Sequence, residues 1–316
     1  MLHPINKISS SKSRFILKMI VISLVFVLLS ACKSSKNSEE NDRKKIEYLN
    51  QLVANLDYFH LKEEFPKYRD RLSTPDNHYF QAIIESAFNN PNTSNKIIEK
   101  YLSENRDSKD SNDIELLKTK LTNHIYLSEY AQALQVNEQL QTEYSNHLDS
   151  AEIEDLKNTN KIWKALINVP PQTLVKNGDV TLPITKDMAG LSTIPVKFPA
   201  KTLNFVFDTG ANFSVIQRSV AIELGLRIIP SDFEVEAATG IEVKSDIAIV
   251  NKMELGDIVI SNVVFLVFDD DALTFPSIDY YIQGIIGFPV IRALEEIQIK
   301  KTGELFIPKK DRKSVV

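Results

Sequence analysis

Glycine and histidine lie in opposite parts of this chain, and that division constrains its fold more than any other feature. All nine glycines fall at or after Gly178, and all five histidines fall at or before His147. Residues 46–168 contain no glycine, which destabilises a helix interior more than any residue except proline. The partition therefore favours helices in the first half and turn-punctuated strands in the second half.

Apolar residues of the first half recur every three or four positions, which is the spacing of one face of an α-helix. The examples are Ile46, Leu49, Leu52, Val53 and Leu56, and then Leu116, Leu117, Leu121 and Ile125. The run 130–134, followed by Leu140 and Tyr144, resembles one helix of a tetratricopeptide-type hairpin, although any repeat is degenerate. We therefore predict an all-α, tetratricopeptide-like domain over residues 46–169.

Two adjacent prolines, Pro170 and Pro171, stop a helix and favour extended chain. Beyond them, turn residues separate short runs rich in valine, isoleucine and phenylalanine, as strands require. The predicted strands are 180–184, 192–198, 203–207, 233–237, 241–250, 258–268, 296–300 and 304–307. We predict an all-β domain over residues 170–310 with one short helix at 218–226, so the fold class is multidomain α plus β.

The N-terminus has the pattern of a secretory signal. Basic residues precede an apolar run from Met19 to Leu29, which is too short to span a membrane comfortably. The run ends in Leu29-Ser30-Ala31-Cys32, which resembles the bacterial lipobox, where cleavage leaves a lipid-modified cysteine as the new N-terminus. The alternative is an uncleaved signal anchor.

The lipobox resemblance implies a lipoprotein signal peptide at residues 1–31 and lipidation of Cys32. Residues 32–45 are polar and charged, and such a run forms a tether because it cannot bury a core. The expected location is the bacterial cell envelope, where a lipid anchor holds the protein on a membrane, facing the periplasm or the surface.

The amino-acid composition limits the kinds of catalytic and metal sites that the β half can contain. The formal net charge of -5 gives no electrostatic case for nucleic-acid binding. Cys32 is the single cysteine, and no histidine follows His147. Serine–histidine triads, cysteine nucleophiles and histidine or cysteine zinc sites are therefore excluded within the β half. If this half is an enzyme, carboxylates must transfer the protons.

One carboxylate stands out. The apolar run 203–207 leads directly into Asp208-Thr209-Gly210-Ala211, which places Asp208 on a tight turn at the end of a buried strand. Gly210 is expected to supply positive φ and to allow another backbone to come close, and the Thr209 hydroxyl is expected to lock the turn. Asp208 is therefore the candidate catalytic residue.

A second element lies downstream, at Ile285-Ile286-Gly287-Phe288-Pro289. Pro289 is well placed as the first residue of a helix whose body is 290–294. Between this element and the aspartate, predicted strands flank Thr239 and Gly240. That pair is expected to form the turn of a hairpin, which is called the flap below.

This order of elements resembles the retropepsin-like aspartic proteases over about residues 175–308. The resemblance implies that Asp208 is catalytic, that Thr209, Gly210 and Ala211 build the active-site loop, and that Ile286 and Gly287 support it. It also implies that Thr239 and Gly240 contact substrate. A peptide or protein substrate is expected, with no cofactor and no metal.

The chain departs from the family pattern at identifiable places. It has no second Asp-Ser/Thr-Gly, so a single-chain site with two such motifs is excluded. The flap is poor in glycine and carries no tyrosine, and the segment 269–283 is longer than in compact retroviral relatives. We expect this segment to shape specificity, and its three aspartates, 269–271, to be solvated rather than to bind calcium. The basic tail, 311–316, is likewise expected to be solvated.

These observations predict an aspartic endopeptidase in which two Asp208 carboxylates of a homodimer activate a water. Two close aspartates share one proton, which supplies both a base and an acid, and a two-fold axis delivers the second loop. The alternative is a catalytically inactive retropepsin-like lipoprotein that binds proteins or peptides.

The lipobox generates the first test. Cys32→Ser removes the thiol that would carry the lipid, so we expect the variant to leave the membrane fraction or to remain unprocessed. Metabolic labelling with a fatty acid measures this directly. Equal labelling of the Cys32→Ser and wild-type proteins would contradict the anchor.

Overall fold

A computed structural model describes residues 40, 42–105, 109–236 and 242–310. The chain divides into two compact units, Met1–Asn89 and Asn90–Val316. The proposed signal peptide, Cys32, the pair Thr239 and Gly240, and the basic tail lie outside the described residues. Among the residues that are described, none of the helices combines the length and apolar character that a membrane crossing requires.

The described part of the first unit is helical. Its helices are α1 (42–54), α2 (Tyr58–Tyr68) and α3 (Thr74–Ala87). The Ser73 side chain caps α3 by accepting a hydrogen bond from the backbone N–H of Asp76. Phe65 of α2 and Phe80 of α3 are buried with their ring centroids 6.3 Å apart.

The second unit begins with further helices. These are α4 (Pro91–Glu104), α5 (Ser111–Tyr126), α6 (Tyr130–Glu143) and α7 (Ser150–Leu166). A capping box between Asp149 and Glu152 starts α7. The buried Asn123 joins α5 to α4, because its amide donates to the Ser94 hydroxyl and to the Asn95 side chain, both at 2.9 Å. The predicted helical first half is confirmed, and its tetratricopeptide-like character stays a prediction.

Strands and two short helices follow the prolines. They are β1 (Thr173–Lys176), β2 (Val180–Pro183), β3 (Thr185–Lys186), β4 (Ser192–Lys197), β5 (Thr202–Phe207), β6 (Ser214–Gln217), α8 (Arg218–Glu223), β7 (Arg227–Glu236), β8 (Glu242–Leu255), β9 (Ile258–Phe268), β10 (Thr274–Phe275), β11 (Tyr280–Tyr281), β12 (Gly284–Ile286), α9 (Phe288–Ala293), β13 (Gln298–Lys300) and β14 (Glu304–Ile307). The predicted β-rich second half is therefore confirmed.

A nine-stranded sheet dominates, with the order β1-β9-β6-β12-β5-β4-β8-β7, and β3 pairs with β4. The sheet closes on itself because β8 pairs with β4 on one side and with β9 on the other. β13, β14 and β2 form a smaller sheet. The short helix predicted at 218–226 is present as α8.

Alternation along the strands gives the closed sheet two apolar faces. On β8, Ala248 and Val250 point into a core with Phe205 and Phe265. The alternate residues of β8 and β9 belong to a second cluster that includes residues of α6 and α7. Its buried members are Tyr130, Ala133, Ile162, Trp163, Leu166, Val169, Val215, Phe233, Ile247, Ile249, Leu266, Phe268 and Leu273. Helices α6 and α7 therefore form a layer on the outer face of the sheet.

Secondary structure changes at the two prolines, but the compact unit begins earlier, at Asn90. The reason is the second cluster, which buries Trp163 and Leu166 against the sheet. The division into domains 46–169 and 170–310 thus stays a prediction about independent folding.

Fragments test that division. A fragment beginning at Pro170 should keep a strand-rich circular-dichroism spectrum, because the inner core draws only on residues after the prolines. It should bind a hydrophobic dye and self-associate, since Phe233, Ile249 and Leu266 lose their cover. The control is a fragment beginning at Asn90, which keeps α6 and α7. A helical spectrum from the shorter fragment would contradict the strand assignment.

Candidate active site

Asp208 follows the last residue of β5 and is exposed to solvent. Its backbone N–H donates to the Ile286 carbonyl at 3.1 Å, which fixes the start of the loop to β12. Its carboxylate accepts a hydrogen bond from the backbone N–H of Gly210 at 2.8 Å. The loop therefore orients its own carboxylate while leaving it accessible.

The turn differs in detail from the sequence prediction. Gly210 is absent from the described residues with positive φ, and a Cβ at this position would meet only the Asp208 carboxylate at 3.4 Å. The prediction of a left-handed backbone at Gly210 is therefore wrong. Thr209 is exposed, and no hydrogen bond of its hydroxyl is seen within the described residues. The hydrogen bond from the Gly210 N–H to the Asp208 carboxylate closes the turn instead. Such a turn does not require a residue with positive φ.

Strand β12 carries the predicted supporting residues to the loop. It lies between β5 and β6, with Ile286 beside Phe207 in the parallel pairing and Ile285 beside Val215 in the antiparallel pairing. Ile286 is fully buried. The structure thus places Ile286 and Gly287 next to Asp208, although the two segments are almost eighty residues apart.

Gly287 has no room for a side chain. A Cβ there would overlap the Phe213 carbonyl and lie 2.9 Å from the carbonyl oxygen of Ala211. The Gly287 N–H donates to the hydroxyl of fully buried Ser214 at 3.0 Å, and the Phe288 N–H donates to the Ala211 carbonyl at 2.8 Å. Sequence reasoning missed Ser214, and its only signal was a hydroxyl in an otherwise apolar strand.

Helix α9 starts one residue earlier than predicted, so Pro289 is its second residue rather than its first. The helix contacts the end of α5. The guanidinium of Arg292 lies 4.0 Å from the ring centroid of Tyr126, and the Phe288 ring lies 6.2 Å from the same ring. The segment after Ile286-Gly287 is thus held by α5 as well as by the sheet.

The arms of the predicted flap are β7 and β8, which pair antiparallel with a bulge between Ile229 and Phe233. The proposed tip residues, Thr239 and Gly240, lie outside the described residues. Phe213, which follows the Asp208 loop, packs edge-on against Phe233 with ring centroids 6.4 Å apart. Loop and flap arm therefore share one apolar surface.

The part of the chain that contains the Asp208 loop and β12 matches a known protein family. Residues 194–290, from β4 to α9, match the family model described as aspartyl protease. The β-rich region is retropepsin-like. The match includes both Asp208 with its loop and the supporting segment 285–287.

Two solved structures are also similar to the retropepsin-like region. A retropepsin-like aspartic protease from Rickettsia conorii is 16% identical with a TM-score of 0.28, and the match covers 43% of this chain and 91% of that one. The retroviral protease-like domain of Ddi1 from Leishmania major is 14% identical with a TM-score of 0.24, and the match covers 38% of this chain and 97% of that one. A search of curated protein sequences found no match.

Asp269 and Asp270, two of the three aspartates at 269–271, have structural partners in the retropepsin-like region. Arg218 donates to Asp269 at 2.5 Å and to Asp246 of β8 at 2.9 Å, and hydrogen bonding to Asp269 raises the pKa of Arg218. Asp270 accepts from the Ser219 N–H at 3.0 Å in the first turn of α8. Among the described residues, no cluster of histidine, cysteine, aspartate or glutamate is suited to a metal ion.

The helical layer contacts the retropepsin-like region beside the loop. Trp163 of α7 stacks on Tyr130 at 6.4 Å and lies 6.4 Å from Phe213, measured between ring centroids. A cavity of about 40 Å³ remains between the layers, and Trp163 and Arg292 both line it. Burial raises the pKa of Tyr130 and lowers the pKa of Arg292.

Ser214 provides a test of how the site is built. In Ser214→Ala the buried N–H of Gly287 loses its acceptor, so the free energy of unfolding should fall by about 1–3 kcal/mol. Exposed Ser219 is the control, and Ser219→Ala should change it by less than about 0.5 kcal/mol. Denaturant titration measures both values, and equal stability of the two variants would contradict this role for Ser214.

Proposed function

We propose that this protein is an aspartic endopeptidase with Asp208 as its catalytic carboxylate. The observation that carries the proposal is the position of Asp208. An exposed carboxylate follows a buried strand, accepts the Gly210 N–H, and is tied through its backbone to Ile286. A rigid scaffold that presents a single oriented carboxylate suits proton transfer to and from a water.

The proposed reaction needs a second carboxylate. Peptide hydrolysis without a metal requires a base that activates water and an acid that protonates the carbonyl oxygen. Two aspartates about 3 Å apart cannot both ionise cheaply, so they share a proton and the pair supplies both groups. This chain carries one Asp-Thr-Gly, so a second copy related by a two-fold axis would supply the partner.

The proposed lipid anchor at Cys32 would assist this pairing. Confinement to a membrane raises the effective concentration of a weakly associating chain. A soluble, dilute preparation would then contain few dimers, and its specific activity would rise with protein concentration until pairing saturates.

A second candidate function is peptide or protein binding without catalysis. The observation that favours it is the contact of α7 with Phe213, which places helical residues next to the Asp208 loop in the single chain. The two candidates differ in one measurable respect. A binding module keeps its affinity for peptides when Asp208 is changed, and it never cleaves them.

Substitution of Asp208 tests the enzyme directly. Asp208→Asn removes the ionisable group, so peptidase activity should fall by roughly 10²–10⁴-fold. Asp257→Asn is the matched control because Asp257 is exposed in the turn between β8 and β9. A peptide library incubated with the three proteins measures the effect. Cleavage that persists in Asp208→Asn would exclude Asp208 as the catalytic residue.

Mixing tests the shared site. Dimers of wild type and Asp208→Asn carry one working carboxylate, so excess variant should inhibit the wild type. At a fourfold excess, random pairing leaves roughly one fifth of wild-type subunits in wild-type dimers. Full activity in an exchanging mixture would rule the shared site out.

A further inference from the structure

The sheet face beside the Asp208 loop is covered by the chain's own helices. Under the proposed function, a peptide lies between this loop and the flap arms, so it must contact the side chains that face that space. Those side chains are Phe213, Val215 and Ile285 near the loop, and Phe233 and Ile247 on the arms. All of them belong to, or pack against, the cluster that Tyr130, Trp163 and Leu166 complete from α6 and α7.

We propose that α6 and α7 are an intramolecular cover of the substrate-binding face, so that the intact chain is a latent peptidase. It becomes active when the cover separates from the sheet. This inference rests on the proposed function and adds the regulation of the same site.

A pair of hydrogen bonds joins α7 to the edge of the flap. The Asn158 amide of α7 donates to the Glu234 carbonyl at 2.5 Å, and its side-chain oxygen accepts from the Glu234 N–H at 3.0 Å. One turn further along, Lys161 donates to the Asp232 carbonyl at 3.0 Å. β7 is the last strand in the sheet order, so these backbone groups are the ones that an added peptide strand would use.

Trp163 of α7 is buried beside Phe213, the residue that follows the Asp208 loop. The indole is 2% exposed, and its ring centroid lies 6.4 Å from that of Tyr130 and 6.4 Å from that of Phe213. Phe213 in turn packs on Phe233 of the flap arm. A peptide side chain that enters this apolar surface must therefore displace Trp163.

The cover is separable from the inner core of the sheet. No residue of α4–α7 belongs to the cluster that fills the inside of the closed sheet. The contact of the helices with the sheet also leaves Trp163 Nε1 and Arg292 Nη2 buried without a hydrogen-bond partner among the described residues. Unpaired buried donors weaken a contact, so this layer can open while the inner core stays intact.

The experiment uses the full chain and its one tryptophan, which lies in the contact being tested. The opening variant combines Asn158→Asp with Lys161→Ala. The carboxylate keeps the shape of the amide but cannot donate to the Glu234 carbonyl, and the alanine removes the neighbouring donor. The control is Lys157→Ala, at an exposed position of the same helix. Acrylamide quenching of Trp163 fluorescence reports opening, and peptide cleavage reports activity.

We expect the opening variant to show severalfold stronger quenching and severalfold higher peptidase activity than wild type. Lys157→Ala should change neither, and adding Asp208→Asn should remove the activity while leaving the quenching high. A second variant, Leu166→Asn, places a polar group in the covered face, and its circular-dichroism spectrum checks that it is folded. If both variants are folded and Trp163 stays protected, the cover does not separate and the inference is wrong.

The remaining outcomes distinguish this inference from the proposed function. In one outcome, the wild type cleaves peptides as fast as a variant in which Trp163 is exposed. That result would contradict the latency of the intact chain but would support its function as a peptidase. Exposed Trp163 without cleavage in any variant, at any pH, would overturn the peptidase and the latency with it.

Discussion

The close approach of two backbones at Gly287 is the constraint on which the site depends. The Phe213 and Ala211 carbonyls occupy the space that a side chain would need, and the Gly287 N–H donates to Ser214. This contact seats the end of β12 between the strands that enter and leave the Asp208 loop. The position of the carboxylate therefore follows from a residue that has no side chain.

Local patterns in the sequence were sufficient for much of the β architecture. The predicted bounds 258–268 and 304–307 are those of β9 and β14, because each is an unbroken run rich in apolar residues between turn residues. Strand β1 was missed because Thr173–Lys176 is short and half polar, and pairing with β9 stabilises it rather than propensity. The Ser214 contact was missed for a similar reason, since its partner lies seventy-three residues away.

Amino-acid composition could not predict how the helices pack on the sheet. Glycine content and apolar spacing report what each segment forms by itself, and they correctly separate helix from strand. They carry no information about which face a helix covers. Trp163 illustrates this limit, because its place on α7 follows from helical spacing whereas its contact with Phe213 depends on the tertiary fold. The same limit applies to Asn158, which is an ordinary polar helix residue until β7 is placed beside it.

The paired hydrogen bonds of Asn158 have a consequence for the behaviour of the chain in concentrated solution. One edge of a side-chain amide presents an N–H donor beside a C=O acceptor, as the edge of a strand does, so a single residue can replace a neighbouring strand at that point. Uncovered strand edges invite pairing between molecules and growth into aggregates. By occupying the Glu234 backbone groups, Asn158 protects the last strand of the sheet at that point. The helical layer thereby contributes to solubility wherever many copies lie close together.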